Sequence, residues 1–251
     1  MMKLQGKRAL VTGGSTGIGA ATAKLFSDEG ASVVVADIND EPGVRTVESI
    51  REAGGSAHYV HCDLSVGERV EDLLGDVDRL IGGLDILVNT AGLMHMADVV
   101  DMTEAQWDNM FNVNVKSCFF LAKYGVPMLR ASGGGSIVFM SSGAALRGNA
   151  SVTGYCGTKG AVSAFSRALA VEVAPDIRVN VLSPGWTDTP FNEPVIAAMG
   201  GREAQEEMIA ASVPLGRQAV PEEMARPILF LVSDDASYLT SGVLIVDGGN
   251  H

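Results

Sequence analysis

Three cysteines in 251 residues, Cys62, Cys118 and Cys156, form an odd set with no C-x-x-C or other metal-ligand spacing. That scarcity excludes a disulfide framework and a zinc site, leaving no metal expected and a reducing cytoplasm as the fitting compartment. Basic residues are scarce too: 18 Lys and Arg stand against 30 Asp and Glu, a formal charge of −12 with a pI near 4.7. Lacking a basic footprint, the chain has no general surface for nucleic acid or an anionic membrane, and an anionic ligand would need local binding devices. No apolar run approaches the length of a membrane span, and residues 1–7 hold no signal-like apolar core, which predicts a soluble, untargeted protein. Internal repeats and low-complexity tails are absent.

What is present is apolar content of 47% with 19% charged residues, enough for a large core. No composition break marks a second core, so residues 1–251 are read as a single domain. Short β-branched runs predict seven strands: Arg8 to Thr12, Ser32 to Asp37, Ala57 to Cys62, Asp85 to Asn89, Ser136 to Met140, Arg178 to Leu182 and Val243 to Val246. Between them lie helical patterns at about 17–29, 40–53, 66–82, 103–131, 153–174 and 221–233. This alternation predicts an α/β fold with right-handed crossovers and a parallel sheet covered on both faces, with ligands at the carboxyl ends of the strands. From Pro190 to about Gln218 a Pro-flanked stretch rich in Ala, Met and Glu breaks the rhythm. It reads either as a substrate-covering insert at about 190–218 or as a surface excursion with no ligand role.

The first strand runs into Thr12-Gly13-Gly14-Ser15-Thr16-Gly17-Ile18-Gly19 and then a helix with apolar Ala20, Ala23, Leu25 and Phe26. Glycines at 13, 17 and 19 permit a tight turn, close backbone approach to a pyrophosphate and close helix packing, while the helix N-terminus adds partial positive charge. The spacing departs from strict G-x-G-x-x-G, and a purely structural connection is the competing reading. Asp37 ends the second strand about 20 residues on, where a carboxylate accepts from an adenosine ribose diol and repels a 2′-phosphate. This favours NAD over NADP in a doubly wound Rossmann domain; the alternative for Asp37 is a turn cap. Asp63, after the third strand, either contacts adenine or caps the helix at Ser65.

Tyr155 and Lys159 stand at i and i+4, so a helix puts phenol and ammonium on one face. A nearby positive charge is expected to lower the phenol pKa and fit Tyr155 for moving a proton to or from an alcohol oxygen. Ser142 ends the apolar strand before it, able to face the phenol or to cap a turn. Asn114 falls inside the 103–131 helix, where Asn is disfavoured; a local distortion serving a site and a satisfied core amide are the two readings.

Over nearly its whole length the chain resembles a short-chain dehydrogenase/reductase of the common type of about this size. The matching segments are Thr12 to Gly19, Asp63-Leu64, Asn89-Thr90-Ala91-Gly92, Asn114-Val115-Lys116, Ser142, Tyr155 to Lys159, Asn180 to Gly185, Thr189 and Asp247-Gly248-Gly249. The resemblance implies a tetrad. Tyr155 is its acid–base, Lys159 bonds the nicotinamide ribose and lowers the tyrosine pKa, Ser142 orients the substrate oxygen, and Asn114 holds a relay water. It further implies that Asn89, Ala91 and Gly92 line the cofactor groove, and that Pro184, Gly185, Thr187 and Thr189 hold the nicotinamide end. Three positions depart from the pattern: Thr90, Cys156-Gly157 and Thr187. Thr90 is expected to alter contacts behind the site without loss of activity, and Cys156 is read as a buried inert thiol rather than an oxidation-sensitive one.

The implied activity is NAD(H)-dependent interconversion of a secondary alcohol and a ketone. An epimerase or dehydratase of the same family and a non-catalytic nucleotide-binding regulatory protein are the alternatives. Leu93, Met94, His95, Ala144, Leu146, Arg147, Asn149 and Trp186 are expected to frame a partly apolar substrate pocket, with Arg147 and Asn149 recognising a polar substituent or facing water. The apolar content of Val113 to Leu129 and Ala161 to Val173 suggests a helix-to-helix interface, and the resemblance implies a homotetramer.

Overall fold

The protein is described here by a computed structural model covering residues 2–250. Seven parallel strands form one sheet in the order β3-β2-β1-β4-β5-β6-β7. They are β1 (Arg8–Thr12), β2 (Ser32–Asp37), β3 (Ser56–His61), β4 (Ile86–Asn89), β5 (Gly135–Met140), β6 (Ile177–Pro184) and β7 (Val243–Val246). Every expected strand is present; β6 runs past the expected Leu182 because Ser183 and Pro184 still pair with Ile245 and Val246 of β7.

Side chains alternate across the sheet with a period of two. Leu10, Val34, Leu87, Ile137 and Phe139 face one core with Leu73, Leu121 and Val162. Ala9, Val11, Val33, Val35, Ile86, Val88 and Val138 face the other with Phe26 and Ile228. Both faces are therefore buried, which is why the strands are near-continuous Val, Ile and Leu. The first core is covered by α3 (Gly67–Ile81), α5 (Ser117–Ala131) and α6 (Thr153–Val173), the second by α1 (Gly17–Asp28), α2 (Asp40–Glu52) and α9 (Pro221–Val232).

Where a single helix 103–131 was expected, α4 (Glu104–Phe111) and α5 are joined by a π-helical turn, Asn112–Lys116. Such bulges gather at functional sites, and this one holds Asn114. The stretch after β6 folds as a short 3-10 turn, Pro190–Asn192, then α7 (Glu193–Ala198) and α8 (Arg202–Ser212). Among the described residues no helix is long and apolar enough to cross a membrane. Strand order reverses between β1 and β4, opening a crevice at their carboxyl ends, the place where open α/β sheets bind ligands.

Candidate active site

The turn from β1 into α1 is built for close backbone approach. Gly13 has φ +68°, and a Cβ there would stand 2.4 Å from the Ala91 nitrogen; one on Gly19 would stand 2.2 Å from the Gly13 carbonyl oxygen. Neither position admits a side chain without displacing backbone. The N-terminus of α1 has no side-chain cap and no carboxylate in its first turn, leaving its field open to an anion. Thr90 secures the turn from behind, its hydroxyl donating to the Thr12 carbonyl at 2.8 Å.

At the end of β2 the Asp37 carboxylate accepts from the Ser15 amide (3.1 Å) and hydroxyl (2.7 Å) through Oδ2. Through Oδ1 it accepts from the Asn39 backbone (3.0 Å) and side chain (2.9 Å). It thus caps the local turn and also faces the crevice, so the two readings coexist. Asp63 likewise accepts from the Ser65 amide and hydroxyl at 2.9 and 2.7 Å, the capping geometry, while lining the same crevice. Among the described residues no Lys or Arg lines this end.

Tyr155 and Lys159 share the buried face of α6, at 8% and 4% exposure. Ser142 lies close enough to Tyr155 to pull the phenol's pKa down, and its hydroxyl accepts from the Ala144 amide at 3.1 Å, so it both faces the phenol and caps a turn. Lys159 Nζ lies 5.6 Å from the centre of the Tyr155 ring and donates to the Met140 carbonyl at 3.0 Å. The expectation that the ammonium sets the phenol's acidity is corrected here. Burial dominates and pushes Tyr155 up to about 12, with Ser142 pulling the other way. Burial also pulls Lys159 down to about 8. Both charged forms lose hydration in this pocket, and the nearest partner of the ammonium is a neutral carbonyl.

Asn114 and Asn89 stand behind the wall rather than on it. Asn114, 1% exposed, accepts from the Leu93 amide at 2.7 Å and donates to the Leu93 carbonyl at 2.8 Å and the Thr158 hydroxyl at 3.0 Å. The satisfied core amide and the local distortion are both realised. Asn89 accepts from the Thr12 hydroxyl (2.8 Å) and the Ala91 amide (3.1 Å), pinning β1 to the strand that carries Ala91 and Gly92. The expectation that Asn89 lines the groove is therefore corrected: its side chain points back to Ser117 and Cys118.

These parts surround one cavity of about 830 Å³, within the size range of cofactor sites. Its nucleotide end is lined by Gly13, Ser15, Thr16, Gly17, Ile18, Gly19, Asp37, Asp63 and Leu64, and its other end by Ala91, Gly92, Ser142, Tyr155, Lys159, Pro184, Gly185, Thr187 and Thr189. Length, an open helix terminus and a carboxylate at the far end suit a nicotinamide dinucleotide. Met94, Ala144, Arg147, Asn149 and Trp186 also line it, as expected, whereas Leu93, His95 and Leu146 do not. Leu93 packs beside Met110 and Tyr155, His95 Nε2 meets the Asn109 amide at 3.4 Å, and Leu146 is exposed. Cys156 is half-buried rather than buried. Sequence reasoning missed Met96, Phe191, Val195, Met199 and Met208 on the wall. Phe191 is tilted against Tyr155 with ring centres 6.0 Å apart; its only signal was membership of the Pro-flanked insert.

Residues 13–251 match the family model described as Enoyl-(Acyl carrier protein) reductase. A cyclopentanol dehydrogenase of a Comamonas species is 37% identical over 99% of this chain and 98% of its own. The 2,5-dichloro-2,5-cyclohexadiene-1,4-diol dehydrogenase LinX of Sphingobium indicum is 37% identical over 98% and 97%. A 3-oxoacyl-(acyl-carrier-protein) reductase, FabG, of Thermotoga maritima is 36% identical over 99% of both. Among solved structures, a short-chain type dehydrogenase/reductase from Mycobacterium marinum superposes with a TM-score of 0.93 at 33% identity, covering 99% of this chain and 97% of its own.

Proposed function

The chain belongs to the short-chain dehydrogenase/reductase family of oxidoreductases, and from that premise we propose that it interconverts a secondary alcohol and a ketone with NAD(H), Tyr155 moving the proton. The observation that carries this reading is that Ser142, Tyr155 and Lys159 share one wall of the cavity that reaches Asp37, with the Lys159 ammonium 5.6 Å from the centre of the Tyr155 ring. The nicotinamide, when bound, supplies or takes the hydride. Every other part of the reaction belongs to the protein.

Ser142 orients the substrate oxygen beside the phenol. With its pKa near 12, Tyr155 is a protonated acid at neutral pH, set to hand its proton to the oxygen of a ketone being reduced. Oxidation needs the phenolate and speeds up as pH rises. Lys159 is placed to bond the nicotinamide ribose, and its ammonium stands beside the Tyr155 ring, where burial rather than that charge sets the phenol's pKa in the free protein. Asn114 holds the relay water, in a π-turn where its side chain is engaged by Leu93 and Thr158. Asp37 and Ser15 receive the adenosine ribose and select NAD. Pro184, Gly185, Thr187 and Thr189 seat the nicotinamide, and the 190–218 insert covers the substrate, tied to that loop by the Asn192 amide on the Thr187 carbonyl at 2.7 Å.

The reading also includes a single catalytic domain and a cytoplasmic homotetramer, its interfaces on the outer faces of α5 and α6. Phe119 and Val171 lie exposed there, Val171 at 77%; a stable, active monomer in sedimentation would contradict it. The function itself is tested by assaying a panel of ketones and secondary alcohols with both nicotinamides. Turnover with NAD(H) preferred is the expected result, and turnover that demands NADP(H), or none at all, refutes it.

A further inference from the structure

Among the described residues, Arg147 shares the cavity wall with one other basic side chain, Lys159. In a chain with 30 acidic residues, Arg8, Arg45, Arg130, Arg202 and Arg217 each pair with a carboxylate. Arg147 has none within 4 Å among the described residues. Its Nη1 donates to the neutral amide oxygen of Asn250, and its Nε is buried with no acceptor. Nη2, with no acceptor among the described residues, lies against Gly143, the residue after Ser142. A methyl group built on Gly143 would stand 3.3 Å from Nη2 and 3.6 Å from the Pro184 carbonyl oxygen. The guanidinium therefore sits between the Ser142 turn and the Pro184 loop, on the substrate side of the cavity.

A partly buried guanidinium with unpaired donors is costly in the free protein, and an anion brought by a ligand offsets that cost. A carboxylate matches the planar fork better than any neutral acceptor. The carboxylates on the cavity wall, Asp37 and Asp63, belong to its nucleotide end, so among the described residues no wall carboxylate competes at Arg147. The surrounding wall of Met94, Trp186, Phe191 and Met199 is apolar or amphipathic.

We infer that Arg147 reads a carboxylate on the substrate, so that the alcohol and ketone handled at Tyr155 are a hydroxy acid and its oxo acid with an apolar body. This rests on the function proposed above and narrows its substrate class. The reaction keeps the carboxylate intact: a hydride leaves the hydroxyl-bearing carbon for the nicotinamide, and the hydroxyl proton leaves through Tyr155.

The test is a calorimetric titration of cyclopentanecarboxylate and 3-hydroxybutanoate, each beside its neutral amide, into the protein saturated with NADH. The wild type is expected to bind the carboxylates about tenfold to a hundredfold more tightly than the amides, the range of a charged hydrogen bond. Arg147→Met is expected to bring the two within about twofold while leaving NADH affinity unchanged. The inference is overturned by a wild type that shows no preference, including one that binds neither probe. A variant that keeps the preference makes Arg147 a structural tie to Asn250, and a variant that loses NADH assigns it to the cofactor; either outcome also overturns it. Failure of the wild type to bind NADH at all would instead sink the proposed function, and the same titrations without NADH then judge Arg147 alone.

Discussion

The two ends of the cavity are built on opposite physical terms. At the nucleotide end, backbone and small residues do the shaping, and the one carboxylate at the tip of β2 is met by four donors from Ser15 and Asn39. At the other end, a phenol and an ammonium are buried with few polar partners, and burial moves both away from their charged forms. The first end costs the fold little, because its carboxylate is met by these donors and is partly in water. The second is held against its own solvation, a tension common where acid–base groups are tuned. Binding specificity here comes from geometry, and chemistry from stored electrostatic cost.

The sharpest way to break that contrast is Lys159→Met. Activity is expected to fall about a hundredfold or more, yet the variant should be more stable at pH 7, by up to about 3 kcal/mol given a pKa near 8. The sign follows from proton binding. A folded-state pKa below the ordinary lysine value means the folded protein releases the proton first, so the cost is full below pH 8 and shrinks as pH rises towards the unfolded value. Denaturant midpoints at pH 7 and pH 9 should show the variant's advantage narrowing; an advantage that is absent or independent of pH contradicts the account.

Asp37→Ala probes the other end. NAD affinity is expected to fall about tenfold and discrimination against NADP to weaken, with about 1–2 kcal/mol of stability lost as the Ser15 and Asn39 donors lose their acceptor. Unaltered relative affinities for the two nicotinamides would make Asp37 a turn cap and nothing more. The smallest effect belongs to Thr90→Val, which removes the hydroxyl's bond to the Thr12 carbonyl. About 1 kcal/mol of stability and a few-fold of NADH affinity should go, with turnover of bound substrate retained; a collapse of turnover would move Thr90 from behind the site into it.

Much of this layout was legible in the sequence. Val33-Val34-Val35 read as a strand, which the fold buries on both faces, and the glycines at 13, 17 and 19 read as a tight turn, where Gly13 and Gly19 admit no side chain. The Tyr155/Lys159 spacing fixes a shared helix face, and the disfavoured Asn114 pointed to the distortion now seen as a π-turn. What local pattern could not carry is direction and burial. Asn89 ends a strand at the crevice, yet its side chain turns inward to Ser117, a choice made by a helix 28 residues away. The phenol's rise to about 12 depends on how many elements close over it. Phe191 and Met208 reach the wall because α7 and α8 fold back over the strand ends, which no period in residues 190–218 encodes.

The central claim is that Tyr155 moves the proton in a site otherwise complete without its hydroxyl. Single-turnover hydride transfer by Tyr155→Phe, on whichever alcohol or ketone the panel identifies, tests it most directly when NADH affinity is measured alongside. The expected result is a loss of at least about a hundredfold in the chemical step with NADH binding unchanged. Hydride transfer at the wild-type rate would contradict the account.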